Sequence, residues 1–183
     1  MNQWQLRRAL KSLRSGGVIA YPTESVYGLG CDANNLEAIE RLLAIKNRSY
    51  KKGLIVLVSD IHQAFSLLAP LNPAQIKKIN QKSPRATTWL IKKQDGVPQL
   101  LSGEHEKLAV RVTTNPIAKM LCKSLGKPII STSCNFNTKP TSRHVSDIRN
   151  HMLLKVDEIV AGRCCGQPPS QIIDLESGTI IRQ

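Results

Sequence analysis

Residues 18–32 read VIAYPTESVYGLGCD, and this stretch decides how the chain is interpreted. Residues 18–21 form a short apolar run that predicts a buried strand, which Pro22 ends. The hydroxyl, carboxylate and glycine residues that follow predict a polar loop reaching Asn34. Because α/β proteins bind ligands at loops that follow strands, this loop is a candidate binding site. Its glycines are equally consistent with an ordinary strand exit that needs unusual backbone torsions.

The rest of the chain alternates between amphipathic helical segments and short apolar runs, without repeats or a low-complexity linker. Strands interleaved with helices predict an α/β sheet that is parallel in part, and 183 residues fit a single domain over 1–183. The further predicted strands are residues 54–58, 86–91, 108–112, 128–131, 156–160, 171–175 and 179–182, the last two forming a hairpin at Ser177-Gly178. The predicted helices are residues 4–13, 36–46, 60–68, 73 onward, 116–125 and 145–152, with polar loops at 92–107 and 132–143.

Charge is the most informative bulk property of the chain. Lysine and arginine number 26 against 13 aspartates and glutamates, so that the formal net charge is +13. An excess of this size favours polyanionic partners such as nucleic acid, nucleotide phosphates or an acidic membrane face. Aromatic residues make up only 4% of the chain, which is too few for the stacking surfaces that bind single strands. An RNA partner would therefore be folded or double-stranded.

Several other classes of function find no support in the residues. No apolar run approaches the ~20 residues of a transmembrane helix, and cations interrupt residues 1–15 where a secretory signal needs an apolar core. The cysteines form no C-x-x-C pair, which predicts reduced thiols in a cytoplasmic protein. The histidines lack metal-ligand spacing, so no protein-held metal is expected. Gly28, Gly30 and Ala33 match G-x-G-x-x-A only formally, because no acidic residue follows at the spacing of a dinucleotide site.

Three further segments carry candidate binding groups. Residues 46–52 contain four cations, which either stabilise a helix C-terminus through its dipole or form a phosphate clamp with Arg48 as the bidentate member. Residues 131–135, STSCN, place hydrogen-bonding side chains at the end of a predicted strand, where they serve either a turn or a ligand. Arg111 ends another predicted strand, so it either meets an anionic partner or snorkels from an edge.

Taken together, these segments resemble the YrdC family. The resemblance runs over nearly the whole chain, in order and without a large insertion, and the joint order of the motifs is highly specific. It implies an α/β single-domain open twisted mixed sheet with flanking helices and a concave basic cavity. The segments that carry it are residues 21–32 (YPTESVYGLGCD), 46–48 (KNR), 52–54 (KGL), 109–113 (AVRVT), 127–135 (KPIISTSCN) and 169–174 (PSQIID).

The resemblance also implies an activity. L-threonine, bicarbonate or CO2, and ATP would give L-threonylcarbamoyl-adenylate and pyrophosphate, with Mg2+ carried on the ATP. A separate transferase complex would then modify adenosine 37 of ANN-decoding transfer RNAs to t6A. The threonine nitrogen can attack CO2, and a carbamate oxygen can then attack the α-phosphorus. Because this route needs no protein nucleophile, catalysis would rest on positioning and charge neutralisation.

The matching motifs also imply the residues of the site. The implied catalytic residues are Lys46 and Arg48. The implied ATP contacts are Arg48, Lys52, Ser131, Ser133, Asn135, Arg143 and Ser170. The implied threonine contacts are Thr23, Tyr27, Lys46 and Arg111.

The chain departs from the family pattern at two places. Residues 84–86, Pro-Arg-Ala, stand where the family often has Pro-Gly-Pro, and Asn137-Thr138 stand where it has Ser-Gly. The first departure would alter loop rigidity near the nucleotide, and the second would loosen the adenylate contact.

A non-catalytic protein that binds double-stranded RNA or transfer RNA, in tRNA or ribosome maturation, is the rival interpretation, and the net charge supports it equally well. Release of pyrophosphate separates the two, since only the enzyme releases it.

Overall fold

One sheet organises the computed structural model, which describes residues 1–81, 83–135, 143–152 and 155–183. Most of its strands are short apolar runs in which buried residues face both sides, as expected for a sheet covered on two faces. The strands are β1 (Ile19–Pro22), β2 (Tyr27–Gly30), β3 (Ile55–Val58), β4 (Thr87–Lys92), β5 (Lys107–Val112), β6 (Ile129–Ser133), β7 (Glu158–Ile159), β8 (Gln171–Asp174) and β9 (Ile180–Arg182).

The sheet is open and mixed. Its order in the described residues is β7-β1-β2-β6-β3-β5-β4-β8-β9. The pairs β1–β7, β3–β5 and β4–β8 are parallel, whereas the other neighbours are antiparallel. The predicted hairpin is confirmed as the antiparallel pair β8–β9. The predicted α/β class with a mixed sheet and flanking helices is also confirmed.

Asparagine side chains begin most of the longer helices. Asn2, Asn35, Asn72 and Asn115 each accept hydrogen bonds from backbone amides in the first turn, which satisfies donors that a helix leaves unpaired. Gly126, at a φ of 74°, ends one of these helices in the left-handed conformation. The α-helices are α1 (Gln3–Arg14), α2 (Leu36–Lys46), α3 (Pro73–Asn80), α4 (Gln99–Ser102), α5 (Pro116–Leu125) and α6 (Val145–Met152), and 3₁₀ helices cover Tyr50–Lys52 and Ile61–Leu67. No described helix is both long and apolar enough to cross a membrane.

The helices divide between the two faces of the sheet. The buried side of α1 and α5 packs on Ile19, Tyr21, Leu57 and Ile129. The buried side of α2 belongs to the other apolar cluster, with the alternate strand residues such as Val56. Since side chains alternate across a strand, Ile55 in β3 shares the face of α1 and α5. This face is only partly covered by the two helices, and the uncovered part holds the cavity described below.

Four sequence predictions need correction. The predicted loop after Pro22 contains β2, and the predicted loop 92–107 contains α4. The predicted helix 60–68 is a 3₁₀ helix, and the predicted strand 156–160 shortens to the two residues of β7. Both missed elements lack the apolar periodicity that predicts an element from sequence. Residues 136–142, which include the Asn137-Thr138 departure, lie outside the described residues.

Candidate active site

A cavity of about 890 Å³ lies on the sheet face shared with α1 and α5. Its floor consists of alternate residues of neighbouring strands, including Gly28, Ile55, Ala109 and Ser131. Segments 102–107 and 169–170 contribute further walls. Five cationic side chains and two carboxylates line it within the described residues, so the cavity is basic. Its size and charge suit an anionic ligand as large as a nucleotide.

Arg48 and Lys52 line this cavity. The Arg48 Nη2 donates a hydrogen bond to the Gly53 carbonyl at 3.0 Å. Its Nε is buried and has no hydrogen-bond partner among the described residues. Burial lowers the pKa of Arg48, although an arginine stays charged in proteins. A charged donor without a partner in a cavity wall is a group that an anionic ligand would satisfy.

Lys46 belongs to a different environment, although it lies only two positions before Arg48. It is the last residue of α2, and Asn47 follows in the left-handed conformation at a φ of 45°. The Lys46 ammonium is buried and donates to the Ser133 carbonyl at 2.7 Å, to the Asn135 Oδ1 at 2.8 Å and to the Asn135 carbonyl. Burial lowers its pKa. These three bonds occupy the donors of the ammonium, which therefore holds the end of β6.

Arg111 lies in the cavity wall near the end of β5, where α5 no longer packs on the face of the sheet. It is 8% exposed, and its Nε is buried without a hydrogen-bond partner among the described residues. The nearby carboxylate of Glu24 is even more deeply buried. Burial raises the pKa of Glu24, but the Arg111 guanidinium and hydrogen bonds from Thr113 and Thr114 outweigh it, so that the pKa lies below its usual value. Glu24 is therefore a neighbouring anion of Arg111, although no direct ion pair joins the two side chains.

Thr23 and Tyr27 lie at the two ends of the connection from β1 to β2, and both line the cavity. The Thr23 hydroxyl donates to the Val26 carbonyl at 2.7 Å, which closes this turn. The Tyr27 hydroxyl lies 3.0 Å from the Gly162 carbonyl and accepts from the Gly162 amide at 3.1 Å. The Tyr27 phenol therefore anchors the segment around Gly162, and the residue contributes shape rather than a free hydroxyl to the cavity.

Ser170 forms the opposite wall and is held by two neighbours, while a third holds the adjacent Pro169. Its hydroxyl lies 2.9 Å from that of Thr88. Arg182 donates to the Ser170 carbonyl from Nη2 at 2.8 Å and from Nε at 3.3 Å. Arg85, the residue of the first departure, donates to the adjacent Pro169 carbonyl from Nη2 at 3.0 Å and from Nε at 3.2 Å. Two guanidinium groups thus fix consecutive carbonyls beside the cavity.

The cavity brings together most of the predicted site residues but not all of them. The predicted residues that line it are Thr23, Tyr27, Arg48, Lys52, Arg111, Ser131, Ser133 and Ser170. Three predicted residues are not among its described lining: Lys46, Asn135 and Arg143. Lys46 and Asn135 bond to each other just behind it. Arg143 is exposed and lies beside Gly166.

Sequence reasoning missed Arg182, a cation of the cavity wall. A signal for it was present, because the predicted hairpin pairs the end of β9 with the start of β8. That register places Arg182 opposite Ile172 and hence near Ser170. The carboxylates of Glu104 and Glu106 also line the cavity, and they were assigned to a surface loop for lack of any pattern.

An open mixed sheet that carries a basic, nucleotide-sized cavity on one face defines an α/β ligand-binding domain. A family model for Sua5, YciO and YrdC, described as "Telomere recombination", matches residues 11–183. The chain belongs to this Sua5/YciO/YrdC family, as the resemblance to YrdC predicted.

Two curated relatives share a name and match nearly the whole chain. The threonylcarbamoyl-AMP synthase of Halorhodospira halophila is 39% identical over 181 residues, with 98% of this chain and 95% of the relative covered. The threonylcarbamoyl-AMP synthase of Methylobacillus flagellatus is 44% identical over 177 residues, with 96% and 98% covered.

Solved structures share the fold. Escherichia coli YciO is 30% identical with a TM-score of 0.82, over 100% of this chain and 90% of that one. Pyrococcus abyssi Sua5 complexed with L-threonine is 27% identical with a TM-score of 0.86, over 98% of this chain. The chain spans about half the length of that Sua5 chain, of which 53% is covered.

Proposed function

We propose that the chain is an L-threonylcarbamoyladenylate synthase, a nucleotidyltransferase that joins L-threonine, bicarbonate or CO2, and ATP. The observation that carries the proposal is the basic cavity, in which Arg48 and Arg111 each keep a buried Nε without a hydrogen-bond partner among the described residues. Two anionic groups, a triphosphate and an amino-acid carboxylate, would satisfy these two cations. The names of the curated relatives and the threonine complex of Sua5 support the same substrates.

The residues of the cavity divide between the two ligands. Arg48 and Lys52 neutralise the phosphates, and Arg111 holds the threonine carboxylate beside Thr23. Ser131, Ser133 and Ser170 line the adenylate side. Lys46 acts by holding Ser133 and Asn135 in place, and Arg143 stays a predicted contact of the adenylate.

The chemistry then needs only orientation and charge. The neutral threonine amine attacks CO2, and an N–H proton passes to solvent water, which gives a carbamate. A carbamate oxygen attacks the α-phosphorus, and the bond to the bridging oxygen breaks as pyrophosphate leaves with both electrons of that bond. Fixed cations near the leaving phosphates stabilise the charge that develops on them.

Mg2+ enters this scheme with ATP. Among the described residues, no three His, Cys, Asp or Glu side chains gather into a group that could hold a metal ion. Magnesium usually keeps several waters and binds through phosphates and one or two carboxylates. In this proposal Glu106 of the cavity wall, and Glu104, which pairs with Lys51 at 2.8 Å, would be the carboxylates for this role.

An omission assay tests the proposal. Pyrophosphate release is measured with threonine, bicarbonate and ATP together and with each omitted in turn, and the product is identified by mass. We expect release and a threonylcarbamoyl-adenylate mass only in the complete mixture. Pyrophosphate release that does not depend on threonine, or no release at all from folded protein, would contradict the proposal. In this proposal the product passes to a separate transferase complex that modifies transfer RNA, and the protein acts in the cytoplasm.

A second candidate function, binding of folded RNA, is favoured by the outer face of α1 and α5. Neither helix contains an acidic residue, and both are exposed at their cations: Arg7, Arg8, Lys11, Arg14, Lys119 and Lys123. Arg8 pairs with Glu158 at 2.6 Å, whereas the other five form no ion pair among the described residues. The Arg14 Nη2 lies 3.4 Å from the Ser124 carbonyl, which joins the two helices into one basic face. Such a face suits the phosphates of an RNA duplex or a transfer RNA.

The salt dependence of RNA binding tests this face. The double variant Arg7→Gln/Lys11→Gln is compared with the control Lys77→Gln/Lys92→Gln, which removes the same charge elsewhere. Binding of an RNA duplex and of a transfer RNA transcript is measured over a range of salt concentrations. Each lost phosphate contact lowers the slope of the logarithm of the binding constant against the logarithm of the salt concentration by about 0.7 to 0.9. We therefore expect the slope to fall by about 1.4 to 1.8 in the first variant and to stay unchanged in the control. Equal slopes in the two double variants would exclude the outer face of α1 and α5 as an RNA-binding surface.

A further inference from the structure

Glu24 is a buried carboxylate beneath the cavity that the scheme above does not use. It is 1% exposed and is not among the described residues that line the cavity. Its Oε1 accepts hydrogen bonds from the Thr113 hydroxyl at 2.6 Å, the Thr114 amide at 2.8 Å and the Asn115 amide at 3.2 Å. Its Oε2 is buried without a hydrogen-bond partner among the described residues. A carboxylate in this position needs a cation to balance its charge.

Arg111 supplies that charge at a distance. No hydrogen bond or ion pair joins Arg111 and Glu24, yet the guanidinium is the charge that does most to keep Glu24 ionised. A direct ion pair would occupy the donors of Arg111 and compete with a ligand carboxylate. At this separation each charge still balances the other, and the buried Nε of Arg111 has no hydrogen-bond partner in the part of the chain that the structure describes.

The hydrogen bonds of Glu24 also join two walls of the cavity. Glu24 directly follows Thr23, which lines the cavity, and it bonds to the segment that starts two residues after Arg111. The Asn115 Nδ2 donates to the Thr23 carbonyl at 3.0 Å, which reinforces the same connection. The carboxylate therefore fixes the distance between the Thr23 loop and the end of β5.

We propose that Glu24 is a positioning residue of the amino-acid subsite. Its carboxylate balances Arg111 from beneath the cavity and ties the Thr23 loop to β5, so that the guanidinium stays directed at the substrate carboxylate. The inference rests on the proposed function, because it takes threonine to be the ligand of Arg111.

Glu24→Gln tests the role, since glutamine keeps the size and the Oε1 acceptor while the charge is lost. We expect the threonine KM to rise about tenfold, whereas the ATP KM stays within about twofold. In an Arg111→Ala background the same substitution should change the threonine KM no further. Asp32→Asn is the matched control, because Asp32 is a buried carboxylate of the same segment that pairs with Lys127 at 3.1 Å. It should leave the threonine KM unchanged.

Thermal unfolding supplies a readout that does not depend on turnover. Arg111→Ala leaves the charge of Glu24 unbalanced, so adding Glu24→Gln should recover part of the lost Tm. The positioning role would be overturned if Glu24→Gln raised the threonine KM and the ATP KM equally. It would also be overturned if the Tm losses of the two single variants added up in the double variant. If the wild-type protein makes no product with threonine, the proposed function fails, and the unfolding cycle still decides whether the two charges are coupled.

Discussion

Arg48→Ala is the substitution that tests the cavity most directly. Arg48 makes one hydrogen bond to the Gly53 carbonyl at 3.0 Å and keeps a buried Nε without a partner among the described residues. A charge-assisted hydrogen bond to a phosphate contributes about 1.5–3 kcal/mol. Its loss should therefore lower kcat/KM for ATP by about 10- to 100-fold.

The same substitution should affect folding little. Only the single bond to the Gly53 carbonyl is lost within the protein, which costs about 1 kcal/mol. Urea unfolding measures that cost, so that a catalytic loss is not confused with a loss of folded protein. Arg48→Lys keeps a charge but not the planar donor set, and we expect it to recover activity only in part.

A matched control lies on the helix that precedes Arg48. Arg41 in α2 pairs with Asp157 through bonds of 2.6 and 3.1 Å, and its side chain is 45% exposed. Surface pairs of this kind contribute about 0–1 kcal/mol, so Arg41→Ala should leave pyrophosphate release unchanged. ATP is titrated at saturating threonine and bicarbonate for both variants. An Arg48→Ala protein within about threefold of the wild type would refute the clamp, because a charge contact is worth more than this.

Three other predictions concern the supports of the cavity. Lys46→Met removes the donor from three oxygens at the end of β6, so we expect the ATP KM to rise with a lower Tm; an unchanged KM would contradict this role. Gly30→Ala places a methyl group against the Ile130 carbonyl oxygen and 2.7 Å from the Tyr21 ring, and we expect a cost of about 1–3 kcal/mol, hence about 3–10 °C in thermal unfolding. The hydrogen bond from Lys107 lowers the pKa of Asp174 from 3.8 to about 2. The stability gained from this carboxylate is complete above about pH 4 and is lost as the pH falls towards 2. Asp174→Asn should therefore be less stable than the wild type at pH 5. Urea unfolding should show that the difference in the free energy of unfolding between the two proteins disappears near pH 2.

Local signals were enough to predict five of the six described α-helices and most strands. Asn35 and Asn115 stand directly before two of these helices, where a short polar side chain satisfies first-turn amides. The strand β2 was missed because Gly28 and Gly30 interrupt its pattern, and glycine normally weakens a strand. In the folded chain Gly30 lies against Tyr21 and Ile129 so closely that a side chain would collide with them. Such a requirement comes from a partner that is distant in sequence, so no local pattern reveals it.

The sequence predicted which residues belong to the candidate site more fully than it predicted how they are arranged. The cations of 46–52 were grouped because they are neighbours in sequence, yet the left-handed Asn47 separates Lys46 from Arg48. Lys46 then bonds to the end of β6, whereas Arg48 and Lys52 line the cavity. Their separation depends on one backbone conformation at a helix end, which residue type alone does not specify.

The position of the cavity follows from the mixed sheet rather than from the rule for parallel sheets. In a parallel sheet all carboxyl ends point to one edge, and the ligand binds beyond that edge. Here β6 runs antiparallel to β3, so Ser131 lies opposite Ile55 at the start of β3, and the carboxyl end of β6 at Ser133 lies beyond that point. Arg111, by contrast, lies near the carboxyl end of β5. Groups from both ends of the sheet can converge only across its face, and they do so where α1 and α5 leave it uncovered.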